Sequence, residues 1–342
     1  MPVVRLPDPA LLFPPPTSVV ARVLPHGVPA LRDRFLARTG MGSSALDPDA
    51  TPGDPGLFGP DSVTWDVVGQ PAQMLAGLRA ALLQSLAAPI PTATHSTGAF
   101  YKDFMGRVAR TGVFVTQQNL GSMDEVHASA RKVRAMHRVV KGTWQDGVEF
   151  DASDPHLQAW VSMTLTDSML VTTERFGTGR LSRAKADQFV REQSTHGALL
   201  DPRVDLGAIF ADPEQRGALR RGELDLPLID EGELPTTRRD LRDRMHAWTS
   251  ELRVTDLTRQ LIDGTVQLTE LDSRRRSILR PFVLATLSTV PDEWHDLLAP
   301  GQNRVEEFVA AQAIQGPFAL LYALMAPSPS LERARARVAA GA

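Results

Sequence analysis

The chain has 342 residues, 42% of them hydrophobic and 23% charged, with a formal net charge of −3 and no cysteine. A chain of this size and apolar content can bury a large core. Its near-neutral charge leaves no electrostatic footprint for nucleic acid, and the lack of cysteine excludes disulfides, thiolate metal centres and a cysteine nucleophile.

The first sixteen residues place prolines where a signal peptide needs an uninterrupted apolar run, so a cytoplasmic protein is expected. Residues 1–62 are rich in proline and glycine and predict an irregular arm with one helix over residues 28–37. From residue 70 to 86, Met74, Leu75, Leu78, Leu82 and Leu86 fall on one stripe of an amphipathic helix. A helix over residues 100–111 is expected to end at Gly112, a natural C-cap. Ser122-Met-Asp-Glu125 is a capping box, a hydroxyl with a carboxylate three residues later, and opens a helix that runs to residue 140. Asp146-Gly147 is a strong hairpin signal, so short strands are expected within residues 143–150, with residues 113–116 as a third.

Asp154-Pro155 supplies an N-cap and a proline at N1 for a helix to residue 176, apolar nearly all round and therefore central. Ser182 caps the next helix, to residue 200, and residues 201–235 predict a loop excursion with one short helix. Helices resume over residues 237–252, 255–262, 278–290, 292–298 and 305–325. The apolar run from Phe308 to Met325 is broken by Gln312, Gln315 and Gly316-Pro317, which favours a core helix over a membrane span and leaves only a peripheral membrane contact open. The basic, alanine-rich tail from residue 330 predicts a solvated helix. The fold class that follows is all-α, a single multi-helix domain over residues 63–326 with at most a short β-hairpin, an arm over 1–62 and a tail helix over 327–342.

Several chemistries are missing. There is no GxSxG elbow, no GxxxxGK[ST] loop, no GxGxxG after a strand and no HExxH. Asp-x-x-His occurs at Asp124/His127, Asp243/His246 and Asp292/His295. Di-iron bundles use the longer glutamate, and two of these aspartates sit in first turns, where they favour the helix dipole. Among eight histidines most lie at helix ends or among polar neighbours. His137 shares an arc of about 80° with Val126, Ala130, Val133 and Val140, which places its imidazole on the buried stripe. Two readings stand: an axial haem ligand, or a core histidine bonded to a backbone carbonyl. Arg134, three residues earlier, lies at the rim of that face and can meet a carboxylate or extend to water. Arg107, Arg110 and Thr111 share one face of the preceding helix, either as functional cations and a hydroxyl or as a solvated face at a helix end.

Taken in order, these segments resemble the latex-clearing proteins (rubber oxygenases) and the fungal MpaB-type oxygenases. The matching text includes Trp65, the Gly69-Gln-Pro-Ala-Gln-Met run, Gly106-Arg-Val-Ala-Arg-Thr111, Val133-Arg-Ala-Met-His137, Asp154-Pro155 and Trp160-Val161. The resemblance implies a globin-like all-α core holding haem b, with His137 as the proximal iron ligand, Arg134 beside it as a cofactor-binding residue, and Arg107, Arg110 and Thr111 as catalytic groups. It implies O2-dependent cleavage of a carbon–carbon double bond in a small apolar, isoprenoid or lipid-like substrate. The alternative is a haem- or small-ligand-binding helical protein without turnover. The chain departs from the pattern where Arg110 stands for a lysine, Ser162 for a histidine and Ala87-Ala88 for His-Pro, and it shows no counterpart of the distal acid. The sequence does not specify an oligomeric state.

Overall fold

The computed structural model describes residues 14–39, 42–96, 104–143, 147–269 and 271–341, with the side chains of residues 39 and 104–109 outside that description. The fold is all-α with one short β-hairpin, and it is organised around one helix. In chain order the first elements are α1 (Pro16–Val23), α2 (Pro29–Thr39), α3 (Val63–Val68), α4 (Gln73–Gln84), α5 (Pro89–Ser96), α6 (Phe104–Leu120) and α7 (Met123–His137). Strands β1 (Lys141–Thr143) and β2 (Glu149–Asp151) pair antiparallel, with Gly142 opposite Phe150. Then come α8 (Pro155–Phe176), α9 (Arg183–Ala198), α10 (Leu206–Ala211), α11 (Pro213–Arg221), α12 (Pro227–Asp230) and α13 (Arg238–Ala247). The chain closes with α14 (Asp256–Gln267), α15 (Ser273–Leu287), α16 (Asp292–Leu298), α17 (Arg304–Ala313), α18 (Gln315–Met325) and α19 (Pro329–Ala339).

Helix α8 begins where the sequence says it should. Asp154 caps it by accepting from the His156 N–H, and Pro155 occupies N1, where its missing donor costs nothing. Every one of its 22 residues is buried or half-buried. Its threonines satisfy themselves by donating to carbonyls one turn back, Thr164 to Trp160 (2.9 Å) and Thr172 to Ser168 (2.8 Å). Helix α4 packs along one side and α9 along the other. Arg79 of α4 is fully buried and makes an ion pair with Asp167 (2.7 Å) and hydrogen bonds to Ser168 (2.9 Å) and Thr289 (3.1 Å), so one guanidinium ties α4, α8 and the end of α15 together.

The structure corrects several sequence expectations. Gly112 does not end a helix; α6 runs through it to Leu120, because Gly121 and the Ser122 cap form the real break. Residues 113–116 are therefore helical rather than a strand. The expected hairpin is present, with Gly147 at φ +79°, while Asp146 lies outside the described residues. The arm gains α1, since Pro16 can occupy its first turn. The excursion at 201–235 holds three short helices rather than one, the first two capped by the side chains of Asp205 and Asp212 and the third opened by Pro227. Met74 is 62% exposed, although Leu75 and Leu82 of the same predicted stripe are buried.

The tail helix is docked, not solvated. Leu331, Ala334 and Arg337 of α19 are buried, and Arg337 donates to the carbonyls of Asp54 (2.7 Å) and Leu120 (2.9 Å). The apolar run near the C-terminus is two helices meeting at Ile314, and of α18 only Phe318 and Ala319 are buried, so it is not a core helix. By length and hydropathy the stretch Arg304–Ala339 is apolar enough to cross a membrane, yet it is broken into α17, α18 and α19.

The buried Arg79–Asp167 pair yields a test. Asp167→Asn strands a buried cation and is expected to cost about 3 kcal/mol. Arg79→Met removes that cation and leaves Asp167 near enough to solvent to be hydrated, so it should cost clearly less. Urea unfolding of both variants measures the difference, and equal losses would contradict the account.

Candidate functional site

Helices α6 and α7 form an antiparallel hairpin, and its geometry follows from the residues at the bend. Ser122 accepts from the Glu125 N–H while the Glu125 carboxylate accepts from the Ser122 N–H, the full capping box. Gly121 is required there, since a Cβ would fall 2.3 Å from the Gln117 carbonyl oxygen. Gln118 then donates to the Val126 carbonyl and to Ser129 Oγ, both at 2.7 Å, which sets the register of the two helices. Arg107, Arg110 and Thr111 lie on α6 about as many residues before the bend as Arg134 and His137 lie after it on α7. The α6 end is fixed from outside by Asn119, whose carbonyl accepts from Trp65 Nε1 (3.0 Å) and whose side chain accepts from Gln193 of α9 (2.8 Å).

His137 is the last residue of α7, so it does sit at a helix end, unlike the sequence expectation. The predicted stripe is real but graded: Val126 and Ala130 are fully buried, while Val133, His137 and Val140 are half-buried. The His137 Nδ1 is buried without a hydrogen-bond partner. Burial holds the imidazole below its ordinary pKa, and the charge of Asp151 on β2 opposes this only in part. The ring is thus neutral at physiological pH. The carbonyl bond expected of a core histidine is not found among the described residues.

The other predicted residues divide. Arg134 is half-buried and donates to the carbonyls of Pro202 and Val204, each at 2.8 Å, clamping α7 to the turn after α9. Burial lowers its pKa, opposed by Asp201. Arg110 and Thr111 are exposed on α6. Arg107 is on the same helix with its side chain outside the described residues.

Sequence reasoning missed His196. Phe114 continues the Arg107, Arg110, Thr111 face by one further turn, and its ring meets the His196 imidazole with centroids 5.7 Å apart. His196 is almost fully buried on α9, and its Nε2 has no hydrogen-bond partner. Burial pushes its pKa down to about 4. Next to it Gly197 abuts α8, where a Cβ would stand 2.3 Å from Ser162 Oγ. The polar neighbours Ser194 and Thr195 disguised it, although Phe189, Gln193 and His196 follow helical spacing on the inner face. His127 of α7 is a third such ring. It stacks on Phe210 at 4.5 Å with Nε2 buried and unpartnered, and burial, then Arg131, lowers its pKa.

The remaining polar aromatics are structural. Trp160 is buried against Trp248 (4.9 Å) and Trp294 (5.8 Å), and His156 stacks on the far face of that cluster. Burial opposes the His156 cation, but hydrogen bonds to Glu233 (2.9 Å) and Glu251 outweigh it and raise its pKa. A cavity of about 650 Å³ between α2 and α19 is lined by His26, Arg32, Leu36 and Glu332 and shares no residue with the α6–α7 end. Among the described residues no three His, Asp or Glu side chains gather as a metal cluster.

Residues 65–319 match the family described as "ER-bound oxygenase mpaB/B'/Rubber oxygenase, catalytic domain". The chain belongs to that family of oxygenase catalytic domains, and the matched span holds the whole α6–α7 hairpin and His196. No curated protein and no solved structure matches the chain. Membership suggests an oxygenase, whose partners are a substrate and O2.

His196 provides a test by pH. The folded protein keeps it neutral down to about 4, while the unfolded chain takes up that proton near its ordinary value of about 6.5. The unfolded state binds more protons in that window, so the contribution is present above it. It is lost as the pH falls, by roughly 3 kcal/mol from this group. His127 and His137 act in the same direction. His196→Leu should flatten the acid limb of stability in urea unfolding, and an unchanged limb would contradict the burial of a neutral ring.

Proposed function

We propose that this protein is a haem-b-dependent oxygenase that uses O2 to cleave a carbon–carbon double bond in an apolar isoprenoid or lipid-like substrate. The observation that carries the reading is His137: a half-buried imidazole kept neutral by burial, whose Nδ1 has no hydrogen-bond partner among the described residues, at the end of a helix inside the matched family span. An axial ligand must offer an unprotonated nitrogen, and burial keeps this one unprotonated. A metal-bound histidine normally donates its other N–H to a fixed acceptor. Here Asp151 acts on the ring through its charge alone, so the ring is oriented by packing.

When bound, haem b supplies activation of O2 for a reaction in which both oxygen atoms enter the product as two carbonyl groups. The protein's part is positioning. Arg134 fixes the helix that carries His137 by holding two carbonyls of the following layer. The Arg110 guanidinium has no lone pair to donate to a metal and would offer charge to a carboxylate or a developing oxyanion. Thr111 presents a hydroxyl beside it, and Arg107 belongs to the same face. One turn further along that face, the Phe114 ring meets the neutral His196 imidazole, an apolar and weakly polar contact that suits an apolar substrate.

Haem-loaded protein given 18O2 and a polyunsaturated isoprenoid should yield two carbonyl fragments, each carrying one labelled oxygen. Thr111→Val and Arg110→Gln should lower turnover about 10- to 100-fold without changing haem content. Stable O2 binding with no product from any alkene would support a non-catalytic haem-binding protein instead.

A further inference from the structure

Residues 201–235, which follow α9, grip one face of α7 at two points. His127 and Arg134 are two helical turns apart on α7, so they stand on the same side of it, about 10 Å from each other. The His127 ring stacks on Phe210 of α10, with centroids 4.5 Å apart and planes within 5° of parallel. Arg134 donates to the carbonyls of Pro202 and Val204, each at 2.8 Å. A single contact leaves a helix able to turn about its axis, whereas two on one face, two turns apart, do not. The capping box and Gln118 hold the beginning of α7, and these two contacts carry the hold toward its C-terminal end. His137 comes three residues after Arg134, about 60° round the helix, so the same contacts set the direction its imidazole faces.

The turn that receives Arg134 is itself fastened by a buried carboxylate. Asp201 is fully buried and accepts from the Arg203 backbone N–H (2.9 Å), from Nε (3.0 Å) and from Nη2 (2.7 Å). The same guanidinium reaches on to Glu231, just past α12, at 2.7 and 3.0 Å. Pro202 and Val204, the two acceptors of Arg134, flank Arg203 in sequence, so the ring closed between Asp201 and Arg203 sets the direction of both carbonyls. Burying a carboxylate adds little net stability even when it is paired, and an exposed pair such as Arg203–Glu231 adds little either. What the arrangement supplies is a turn of one shape. Burial disfavours the Arg134 cation, and the charges of Asp201 and Asp205 offset part of that loss, so Asp201 serves the clamp by charge as well as by shape.

We propose that Asp201 is a positioning residue for His137, acting through Arg203 and the Pro202 and Val204 carbonyls on Arg134, and that the 201–235 segment is the brace that orients that imidazole. Phe210 is the second arm of the brace. Asp205 caps its helix by accepting from the Ala208 N–H (3.0 Å), and the Phe210 carbonyl accepts from Arg216 of α11 (2.9 Å). His137 Nδ1 has no hydrogen-bond partner among the described residues, so the ring takes its direction from the helix that carries it. The value of this to a bound haem rests on reading His137 as the axial ligand; the positioning itself does not.

Diethyl pyrocarbonate acylates neutral imidazoles, and its rate at His137 in the haem-free full-length chain, read by peptide mass spectrometry, measures how firmly that ring is held. Asp201→Asn and Arg134→Met should each raise the rate about fivefold or more. The double variant should raise it no further than the larger single change, because both act through one link. Glu231→Gln, at the exposed outer end of the network, should act in the same direction by a smaller factor. His295, fully buried on α16 against Glu307, reports general loosening and should keep its rate. Glu223→Gln, which breaks the exposed Arg221–Glu223 pair of the same segment (2.8 Å), should leave both rates unchanged. An unchanged rate at His137, additive increases, or a parallel rise at His295 overturns the proposal. Haemin titration of the wild type separates the two readings: no uptake alongside the expected labelling pattern contradicts the haem reading and supports the brace.

Discussion

A helix with no polar face must be covered on every side, and α8 is such a helix. Its 22 residues leave none on the open surface, so the rest of the chain is arranged to enclose it. Helices α4 and α9 lie along it, and α13 and α3 fill further sides. Several of the polar atoms that α8 carries are answered internally, by threonines bonding back along the helix and by the Arg79 guanidinium, which serves Asp167 and Ser168 at once, while Gln158 Oε1 and Trp160 Nε1 are buried without a partner among the described residues. Burying that charge is tolerable only because each donor has a partner. The result is a fixed platform whose α9 side carries His196 and Gly197 against Ser162.

The candidate site is built on that platform at second hand. Helix α6 is held to α9 and α3 through Asn119, Gln193 and Trp65, and α7 is held to α6 through Gln118 and the capping box. Arg134 then ties the free end of α7 back to the turn after α9. Each link is a hydrogen bond from a side chain to another side chain or to the backbone, which explains how a histidine at a helix terminus is held in one place. It also explains why the imidazoles remain neutral. His127, His137 and His196 are all held below their ordinary pKa first of all by desolvation.

The periods and caps made much of this legible. The start of α8 at Asp154-Pro155, the capping box of α7 and the hairpin at residue 147 follow from local chemistry that acts within a few residues. What local chemistry does not determine is which partner arrives. Gly112 has a helix-ending composition, yet nothing packs where its Cβ would be and the helix simply continues. The tail helix has the charge of a solvated segment, but Arg337 finds two carbonyls separated from it by hundreds of residues. The same holds for the site. His137 could be picked out from its stripe, and Arg107, Arg110 and Thr111 from theirs, whereas Arg134 ended on carbonyls and His196 emerged only once α6 and α9 were seen to meet at Phe114.

The central claim is that the His137 imidazole is the axial ligand of a haem. The most direct measurement is chemical rescue of His137→Gly, followed by absorption spectroscopy after addition of haemin. The account predicts that this variant binds haem poorly and that free imidazole, entering the space left by the side chain, restores a histidine-like spectrum. A His137→Gly protein that takes up haem with the wild-type spectrum in the absence of imidazole would contradict it.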